Sequence, residues 1–339
     1  MEGFNIVILA AGKGERMVSE RPKVMHEIMG KPLIDHVVNA ARELKPDRVV
    51  VVTGHKKEII EEHLKDFPDV VCAAQLEQKG TAHALLSAGT FPGSGDTLVL
   101  YGDVPLITVD TLRDFLDCFK QSRSILFMTT DVENPAGYGR VISKGELILE
   151  IREHADASDE ERRIKEINTG ICVIPREYWP YLGEIGNNNR KGEYYLTDIC
   201  MIAKSRGTTV RKYKHHDASE VLGINSRSEL LDANISMRNR IVRKHLKNGV
   251  SFIDSNVYID GDVQIGRDST IYPNCHISGK TVIGACVTIG PDSLISDSKI
   301  GDRVSIQGFC VIQQTQVNND VEVAPFSHLK PGTIMGNNS

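Results

Sequence analysis

The strongest constraint in this 339-residue sequence is an isoleucine that recurs at every sixth position from Ile253 to Ile295. A helix repeats about every 3.6 residues and a half-buried strand about every two, so neither produces this period. It is typical of the hexapeptide repeat of a parallel β-helix, in which each hexapeptide forms one face of a triangular coil. The phase shifts by one residue near Ser298 and again near Gln316, which predicts shortened corners there. The repeat positions are Ile253, Ile259, Ile265, Ile271, Ile277, Ile283, Ile289, Ile295, Ile300, Ile306, Ile312, Val317, Val323 and Leu329.

The region before residue 226 has a different pattern, in which short apolar runs alternate with helical periodicity. The unbroken run at residues 6–9 is typical of a strand that is buried on both faces of a parallel sheet. Further strands are predicted at 49–52, 70–74, 97–101 and 124–129, and helices after Pro32 and at 57–64, 81–88 and 112–119. The alternation predicts an α/β fold with a mostly parallel sheet, helices on both faces, and ligands at the carboxyl ends of the strands. We therefore expect a domain at 1–225, a linker helix at 226–249 and an incomplete β-helix at 250–339.

A glycine-rich turn, Gly12-Lys13-Gly14, follows the first predicted strand. Glycines there let backbone N–H groups approach an anion, and Lys13 and Arg16 add positive charge. The turn is not a Walker A loop, because no Gly-Lys-Ser/Thr follows, and Met17 replaces the third glycine of the dinucleotide fingerprint. A tight turn without a ligand is the alternative.

Polar residues also follow the other predicted strands. Gln75 precedes Gly80 and Thr81, and a lone carboxylate, Asp103, ends the fourth strand. A metal-bound nucleoside triphosphate requires cations, a carboxylate for the metal and polar groups for the base. Lys23 could supply one of these cations. The alternatives are that Lys23 is a solvated surface lysine and that Asp103 is a turn residue.

Composition excludes several classes of protein. A net charge of −5 argues against a nucleic-acid-binding protein, and the sequence contains no secretory leader and no membrane-length apolar run. Seven cysteines are scattered without a CxxC pair, which favours reduced thiols. We expect a soluble, cytoplasmic protein with no nucleic-acid or membrane partner.

Several stretches resemble known sequence motifs. Residues 9–17, 21–23, 80–84 and 101–106 resemble the nucleoside-diphosphate-sugar pyrophosphorylases. Residues 135–140, 166–170, 192–198 and 223–225 narrow the resemblance to the bacterial N-acetylglucosamine-1-phosphate uridyltransferases. The resemblance covers essentially the whole sequence. It implies the nucleotidyltransferase fold, a left-handed coil for the β-helix, and a homotrimer that associates through that β-helix.

The same resemblance implies a reaction and its residues. The substrates would be UTP and N-acetylglucosamine 1-phosphate, the cofactor Mg²⁺, and the product UDP-N-acetylglucosamine, a precursor of peptidoglycan and lipopolysaccharide. Arg16 and Lys23 would be the catalytic cations on the phosphates, and Asp103 and Asn225 the metal ligands. Nucleotide contacts would come from Leu9, Ala10, Ala11 and Gly12, uracil contacts from Gln75, Gly80 and Thr81, further lining from Tyr101 and Gly102, and sugar contacts from Gly139, Glu153 and Asn168.

Two other functions compete with this interpretation. A pyrophosphorylase for another sugar 1-phosphate would need a different pocket around Glu153 and Asn168. A non-catalytic nucleotide-sugar-sensing subunit should have lost Lys23, Asp103 and Asn225. The sequence stops in mid-repeat and lacks the family's coenzyme A pocket and catalytic histidine, so we expect no acetyl transfer by this chain; a longer native chain would be bifunctional. His83 and the basic run at 238–247 are interpreted as structural and solvated, respectively.

Overall fold

A nine-stranded sheet organises the first of two structural units. The computed structural model describes residues 3–89 and 95–337. The first unit comprises the chain up to His26 together with Pro32–Glu229, and the second comprises Glu27–Lys31 and the chain from Leu230 onward. The boundaries predicted at residues 225 and 249 stay predictions.

Strands and helices alternate through most of residues 3–247. The strands are β1 Phe4–Leu9, β2 Glu27–Ile28, β3 Lys31–Pro32, β4 Arg48–Thr53, β5 Val70–Ala74, β6 Asp96–Tyr101, β7 Ile125–Asp131, β8 Arg140–Lys144, β9 Leu147–Arg152, β10 Glu166–Ile174 and β11 Val210–Lys214. The α-helices are α1 Leu33–Glu43, α2 Lys57–Leu64, α3 Thr81–Ser87, α4 Val109–Ser122, α5 Ile199–Ser205, α6 Ala218–Val221 and α7 Arg227–Lys247. Short 3₁₀ helices lie at Glu15–Met17, Lys23–Met25, Glu161–Arg163, Arg176–Glu184 and Leu196–Asp198.

The strand order of the large sheet is β5-β4-β1-β6-β10-β7-β11-β9-β8. Parallel pairing joins β5, β4, β1 and β6, and also β7 and β11. Strand β10 lies antiparallel between β6 and β7, and β9 is antiparallel to both β11 and β8. The sheet is therefore mostly parallel, as predicted, with two strands that oppose the rest.

Strand β1 is buried on both faces, which confirms the prediction from its unbroken apolar run. Ile6 and Ile8 belong to a core cluster that includes side chains of α1, α2 and α4. Val7 and Leu9 belong to a second cluster that includes side chains of α3 and α5. Alternate side chains of a strand point to opposite faces, so the two clusters are the two sides of one layered fold. The predicted strands agree with the structure to within two residues, whereas α4 extends three residues further at each end.

The second unit contains the parallel β-helix that the six-residue period predicts. Its strands form three five-stranded parallel sheets. They are β12 Ser251–Phe252, β13 Tyr258–Ile259, β14 Gln264–Ile265, β15 Thr270–Ile271, β16 His276–Ser278, β17 Val282–Ile283, β18 Thr288–Ile289, β19 Leu294–Ser296, β20 Lys299–Ile300, β21 Ser305–Ile306, β22 Val311–Gln313, β23 Gln316–Val317, β24 Glu322–Val323, β25 His328–Leu329 and β26 Ile334–Met335. The architecture is the left-handed parallel β-helix expected for this fold class.

One member of the predicted core series is wrong. Phe252, not Ile253, is in register with Ile271 of the next coil. Ile253 is 59% exposed, so the first coil enters the stack one residue out of phase. Period alone cannot detect this shift because both residues are apolar.

The two phase shifts occur at the same corner of the triangle. Ile295 pairs with Ile277 and Ile312, while Ile300 pairs with Ile283 and Val317. Across this corner the chain therefore advances six residues from Ile277 to Ile283, but only five from Ile295 to Ile300. The residues that turn the shortened corners, Asp297 and Gln314, both have a φ of 47°, in the left-handed region.

Candidate active site

An opening in the first unit lies at the carboxyl ends of strands β1, β5 and β6. It is a cavity of about 470 Å³. The sheet topology predicts a ligand site at this edge, and the segments that follow the three strands meet there. The cavity is lined by Leu9, Ala10, Ala11, Gly12, Lys13, Glu15, Lys23, Val24, Gln75, Gln78, Gly80, Thr81, Ala84, Tyr101, Asp103 and Glu193.

The glycine-rich turn beside this cavity contains unpaired backbone donors. Within the described ranges, the N–H groups of residues 11–14 have no hydrogen-bond partner. A Cβ at Gly12 would meet nothing within 4 Å, whereas one at Gly14 would lie 2.7 Å from Lys23 Cβ. Consecutive free N–H groups form an anion-binding concavity. The turn can therefore hold a phosphate, and Gly14 is required for its packing against Lys23.

A second cavity, of about 260 Å³, adjoins the same turn. It is lined by Lys13, Gly14, Glu15, Arg16, Lys23 and Asn225. The side chain of Arg16 is exposed, and it has no ion-pair partner among the residues that the structure describes. Three cationic side chains around one opening favour an anionic ligand.

Lys23 contacts both of the side chains that the resemblance assigns as metal ligands. Its Nζ donates a hydrogen bond to Asp103 Oδ2 and another, 3.0 Å long, to Asn225 Oδ1. The lysine and the aspartate are about equally shielded, with side chains 14% and 15% exposed. The ammonium is itself a cation, so the two oxygens converge on a position that accepts positive charge.

The donor set fits a divalent cation that also binds substrate. In the described part of the chain, no group of three or more His, Cys, Asp or Glu residues could form an all-protein metal site. One carboxylate and one amide leave most of an octahedral shell to phosphate oxygens and water, which is the usual arrangement for Mg²⁺. Asp103 and Asn225 thus fit a metal that is bound together with a nucleotide.

Local hydrogen bonds fix the orientation of Asn225. Its Nδ2 donates to the carbonyl of Gly223 at 3.0 Å, which leaves Oδ1 for Lys23. Its backbone N–H donates to Glu229 Oε2 at 2.6 Å, and the N–H of Glu229 donates to Ser226 Oγ at 3.3 Å. Ser226 therefore caps the start of α7, and the carboxylate of Glu229 anchors Asn225, the residue before the cap.

The segment at 75–81 forms a further wall of the larger cavity. Gln75 is buried, and its Nε2 donates to the carbonyl of Gly80 at 3.2 Å and to His83 Nδ1 at 2.9 Å. Gly80 has a φ of +115°, and a Cβ there would lie 2.5 Å from the carbonyl oxygen of Tyr194. The hydroxyl of Thr81 accepts the N–H of Leu196 at 2.9 Å. The motif at 192–198 thus packs directly against this wall.

The three residues that the resemblance assigns to the sugar lie together, outside the lining of both cavities. The N–H of Asn168 donates to the carbonyl of Gly139 at 2.9 Å, and a Cβ at Gly139 would lie 3.3 Å from Glu153 Oε1. Burial raises the pKa of Glu153, the hydrogen bond from the Thr197 hydroxyl opposes that shift, and the nearby carboxyl of Asp198 adds to it.

Tyr101 and Gly102 have different roles. Tyr101 lines the larger cavity, and a Cβ at Gly170 would lie 2.5 Å from its ring. Burial raises the pKa of the Tyr101 phenol, which keeps it protonated. Gly102 does not line either cavity; a Cβ there would lie 2.8 Å from Ile34 Cδ1. Gly102 therefore packs closely against α1, and its expected role in lining the site stays a prediction.

Sequence reasoning did not assign every residue of the site. Gln78 and Glu193 line the larger cavity, and Thr197 donates to Glu153 Oε1 at 2.9 Å. Glu193 and Thr197 lie in the motif at 192–198. The resemblance included these two positions but did not assign a function to either residue. His83 was interpreted as structural, and its contact with Gln75 was not foreseen.

Comparison with known proteins identifies the family. Residues 6–171 match the MobA-like NTP transferase domain. The bifunctional protein GlmU of Acetivibrio thermocellus is 44% identical over the whole chain, which covers 74% of that protein. The bifunctional protein GlmU of Enterococcus faecalis is 41% identical, with the same coverage. A crystal structure of UDP-glucose pyrophosphorylase complexed with UDP-glucose shares the fold, with a TM-score of 0.57 and 19% identity over 71% of this chain and 100% of that one.

The fold and the site define a nucleotidyltransferase, a class of enzyme whose members generally use a divalent metal ion. The relatives identify the family within this class of enzyme, because two of them match the full length of this chain. The chain belongs to the family of the bifunctional protein GlmU. None of the helices in the described ranges is long and apolar enough to cross a membrane.

Proposed function

We propose that this chain transfers UMP from UTP to N-acetylglucosamine 1-phosphate and releases pyrophosphate. The product, UDP-N-acetylglucosamine, is a precursor of peptidoglycan and lipopolysaccharide. The observation that carries the proposal is the convergence of Lys23, Asp103 and Asn225 beside the free N–H groups of residues 11–14. A sensing subunit would not need this charged cluster.

The chemistry requires positioning and charge neutralisation. A phosphate oxygen of the sugar phosphate attacks the α-phosphorus of UTP in line, and the bond to pyrophosphate breaks. The attacking phosphate is already ionised at neutral pH, so no side chain must act as a base. Lys23, Arg16 and the N–H groups of the glycine-rich turn hold the phosphates and oppose the charge that develops on them.

Magnesium is the metal that we propose for the site. Asp103 and Asn225 would hold it, and when bound it would neutralise charge on the triphosphate. Activity should disappear when the protein is treated with a chelator and return when Mg²⁺ is added in excess. Full activity in the presence of the chelator would contradict this assignment.

The base and the sugar occupy separate walls of the site in this proposal. Gln75, Gly80 and Thr81 hold uracil, and Gly139, Glu153 and Asn168 hold the N-acetylglucosamine group. Leu9, Ala10, Ala11, Gly12 and Tyr101 complete the nucleotide site, since all of them line the larger cavity. A pyrophosphorylase for another sugar remains the competing function, and it differs only at the sugar wall.

Release of pyrophosphate, measured with UTP and a panel of sugar 1-phosphates, tests the proposal. N-acetylglucosamine 1-phosphate should give the highest kcat/KM, and preference for an unacetylated sugar would favour the competing function. Asp103→Ala should lower kcat/KM by about 10³-fold or more, because it removes the only carboxylate of the proposed metal site. Asp117→Ala is the matched control, since Asp117 forms an exposed ion pair with Lys120 on the surface of α4.

Assembly and location complete the proposal. We infer a cytoplasmic homotrimer that associates through the flat sheets of the β-helix, and the free thiols of all seven cysteines agree with a reducing compartment. Light scattering at micromolar concentration should give three times the mass of the chain, and a monomer would refute the trimer.

A further inference from the structure

The side-chain amide of Gln75 is held so that both of its N–H bonds are used within the protein. One points to the carbonyl oxygen of Gly80, 3.2 Å away, and the other to His83 Nδ1, 2.9 Å away. A backbone carbonyl can only accept, so the amide nitrogen must face Gly80. His83 Nδ1 must then accept as well, and the ring carries its proton on Nε2.

This arrangement leaves one group of Gln75 for a bound molecule. Gln75 lines the larger cavity, and the part of its amide not engaged by Gly80 and His83 is the carbonyl oxygen Oε1. An oxygen that can only accept pairs with an N–H of the ligand. Uracil has such a donor at N3, whereas N3 of cytosine is itself an acceptor and would face Oε1 without a proton between them.

We propose that His83 is the positioning residue that sets the choice of base, because it holds the Gln75 amide in the orientation that accepts from uracil. The inference rests on the proposed function, in which Gln75 contacts the base. His83 occupies the third position of α3, next to the wall formed by residues 75–81. Gly80 supplies only one acceptor, at the longer of the two distances, so without His83 the amide can turn and present its nitrogen to the ligand.

The test compares substitutions that remove or keep the acceptor. His83→Leu removes it, whereas His83→Asn keeps an oxygen that can accept from the same amide. His216→Leu is the matched control, because His216 is exposed and lies outside both cavities. For each variant, kcat/KM is measured with UTP, with CTP and with 5-methyl-UTP, at one fixed concentration of N-acetylglucosamine 1-phosphate.

We expect His83→Leu to lower the ratio of kcat/KM for UTP over CTP by about tenfold, the effect of one misdirected hydrogen bond. His83→Asn and His216→Leu should keep the ratio within about twofold of the wild-type value. The ratio for UTP over 5-methyl-UTP should not change in any variant, because both bases carry the same N3–H. Equal losses for UTP and CTP in His83→Leu would show that His83 only supports the fold, and would overturn the inference.

The outcomes separate this inference from the proposed function. A wild-type protein that turns over UTP, with an unchanged UTP/CTP ratio in His83→Leu, overturns only the role of His83. A wild-type protein that does not turn over UTP overturns the proposed function, and calorimetric titration with UTP and CTP then tests His83 through the ratio of dissociation constants. If thermal unfolding shows that His83→Leu does not fold, His83→Ala carries the same expectation, since alanine is favourable in a helix.

Discussion

Replacement of Gly80 by alanine should damage the protein more than replacement of any exposed glycine. Gly80 has a φ of 115° and a ψ of 176°, a conformation that is essentially restricted to glycine. An added Cβ would lie 2.5 Å from the carbonyl oxygen and 2.7 Å from the nitrogen of Tyr194. Tyr194 cannot easily move away, because its N–H donates to the carbonyl of Lys79 and its carbonyl accepts from Ala82.

Backbone strain and two broken hydrogen bonds both contribute to the expected loss of stability. The backbone strain costs about 1–3 kcal/mol. Displacement of Tyr194 breaks two hydrogen bonds, each of which contributes roughly 1 kcal/mol. The unfolding free energy should therefore fall by about 3–5 kcal/mol, which corresponds to a drop in Tm of about 10 °C. Gly207 is the matched control: its φ is +70° and a Cβ there meets nothing within 4 Å. Gly207→Ala should cost only about 1–2 kcal/mol.

Thermal unfolding of both variants by circular dichroism, with urea titration for the free energies, measures the difference. KM for UTP should also rise in Gly80→Ala and not in Gly207→Ala, since Gly80 lines the larger cavity. Equal destabilisation by the two substitutions would refute the steric argument. A large loss of stability with an unchanged KM would refute the placement of Gly80 at the base.

Three further outcomes follow from other parts of the molecule. Gly12→Ala should leave Tm unchanged, because a Cβ there meets nothing within 4 Å, but should weaken UTP binding measured by calorimetry. Glu153 has a raised pKa, so its contribution to stability is present below its ordinary pKa of 4.5 and is lost as the pH rises through the raised value. Glu153→Gln should therefore unfold at a higher temperature than the wild type at pH 8, and at nearly the same temperature at pH 4. In the β-helix, Ile295→Ala should lower the unfolding free energy by about 2–5 kcal/mol in urea, whereas Ile253→Ala, at an exposed position, should lower it by less than about 1 kcal/mol.

Periodicity predicted the parts of the fold that depend on local pattern. The β-helix follows from a six-residue repeat, and β1, β4, β5, β6 and β7 follow from apolar runs and the glycines and prolines between them, whereas the two-residue strands β2 and β3 were not predicted. The antiparallel insertion of β10 between β6 and β7 was not predicted, because pairing between distant strands leaves no local pattern. The exposure of Ile253 was missed for a related reason, since the register of the first coil is fixed by its pairing with the second.

The residues of the site likewise fall into two groups, those that a local sequence pattern indicates and those that it does not. The glycine-rich turn could be found from its position after a buried strand. The contact of Lys23 with Asn225 joins residues 202 positions apart, and only a resemblance to known motifs could place them in one site. The hydrogen bond from Gln75 to His83 spans eight positions, but it depends on the geometry of Gly80 between them, which the residue types alone do not specify.

The shortened corner of the β-helix determines which changes in chain length this unit can tolerate. Glycines with positive φ, Gly279 and Gly332, turn that corner at two of its six-residue steps, whereas Asp297 and Gln314 turn it where the step is five. Gain or loss of one residue at this corner leaves every aliphatic side chain in its stack. The same change within a strand would turn the following side chains from the interior to water. Insertions and deletions among descendants of this sequence should therefore accumulate at this corner of the triangle, or add or remove whole coils of 17 or 18 residues.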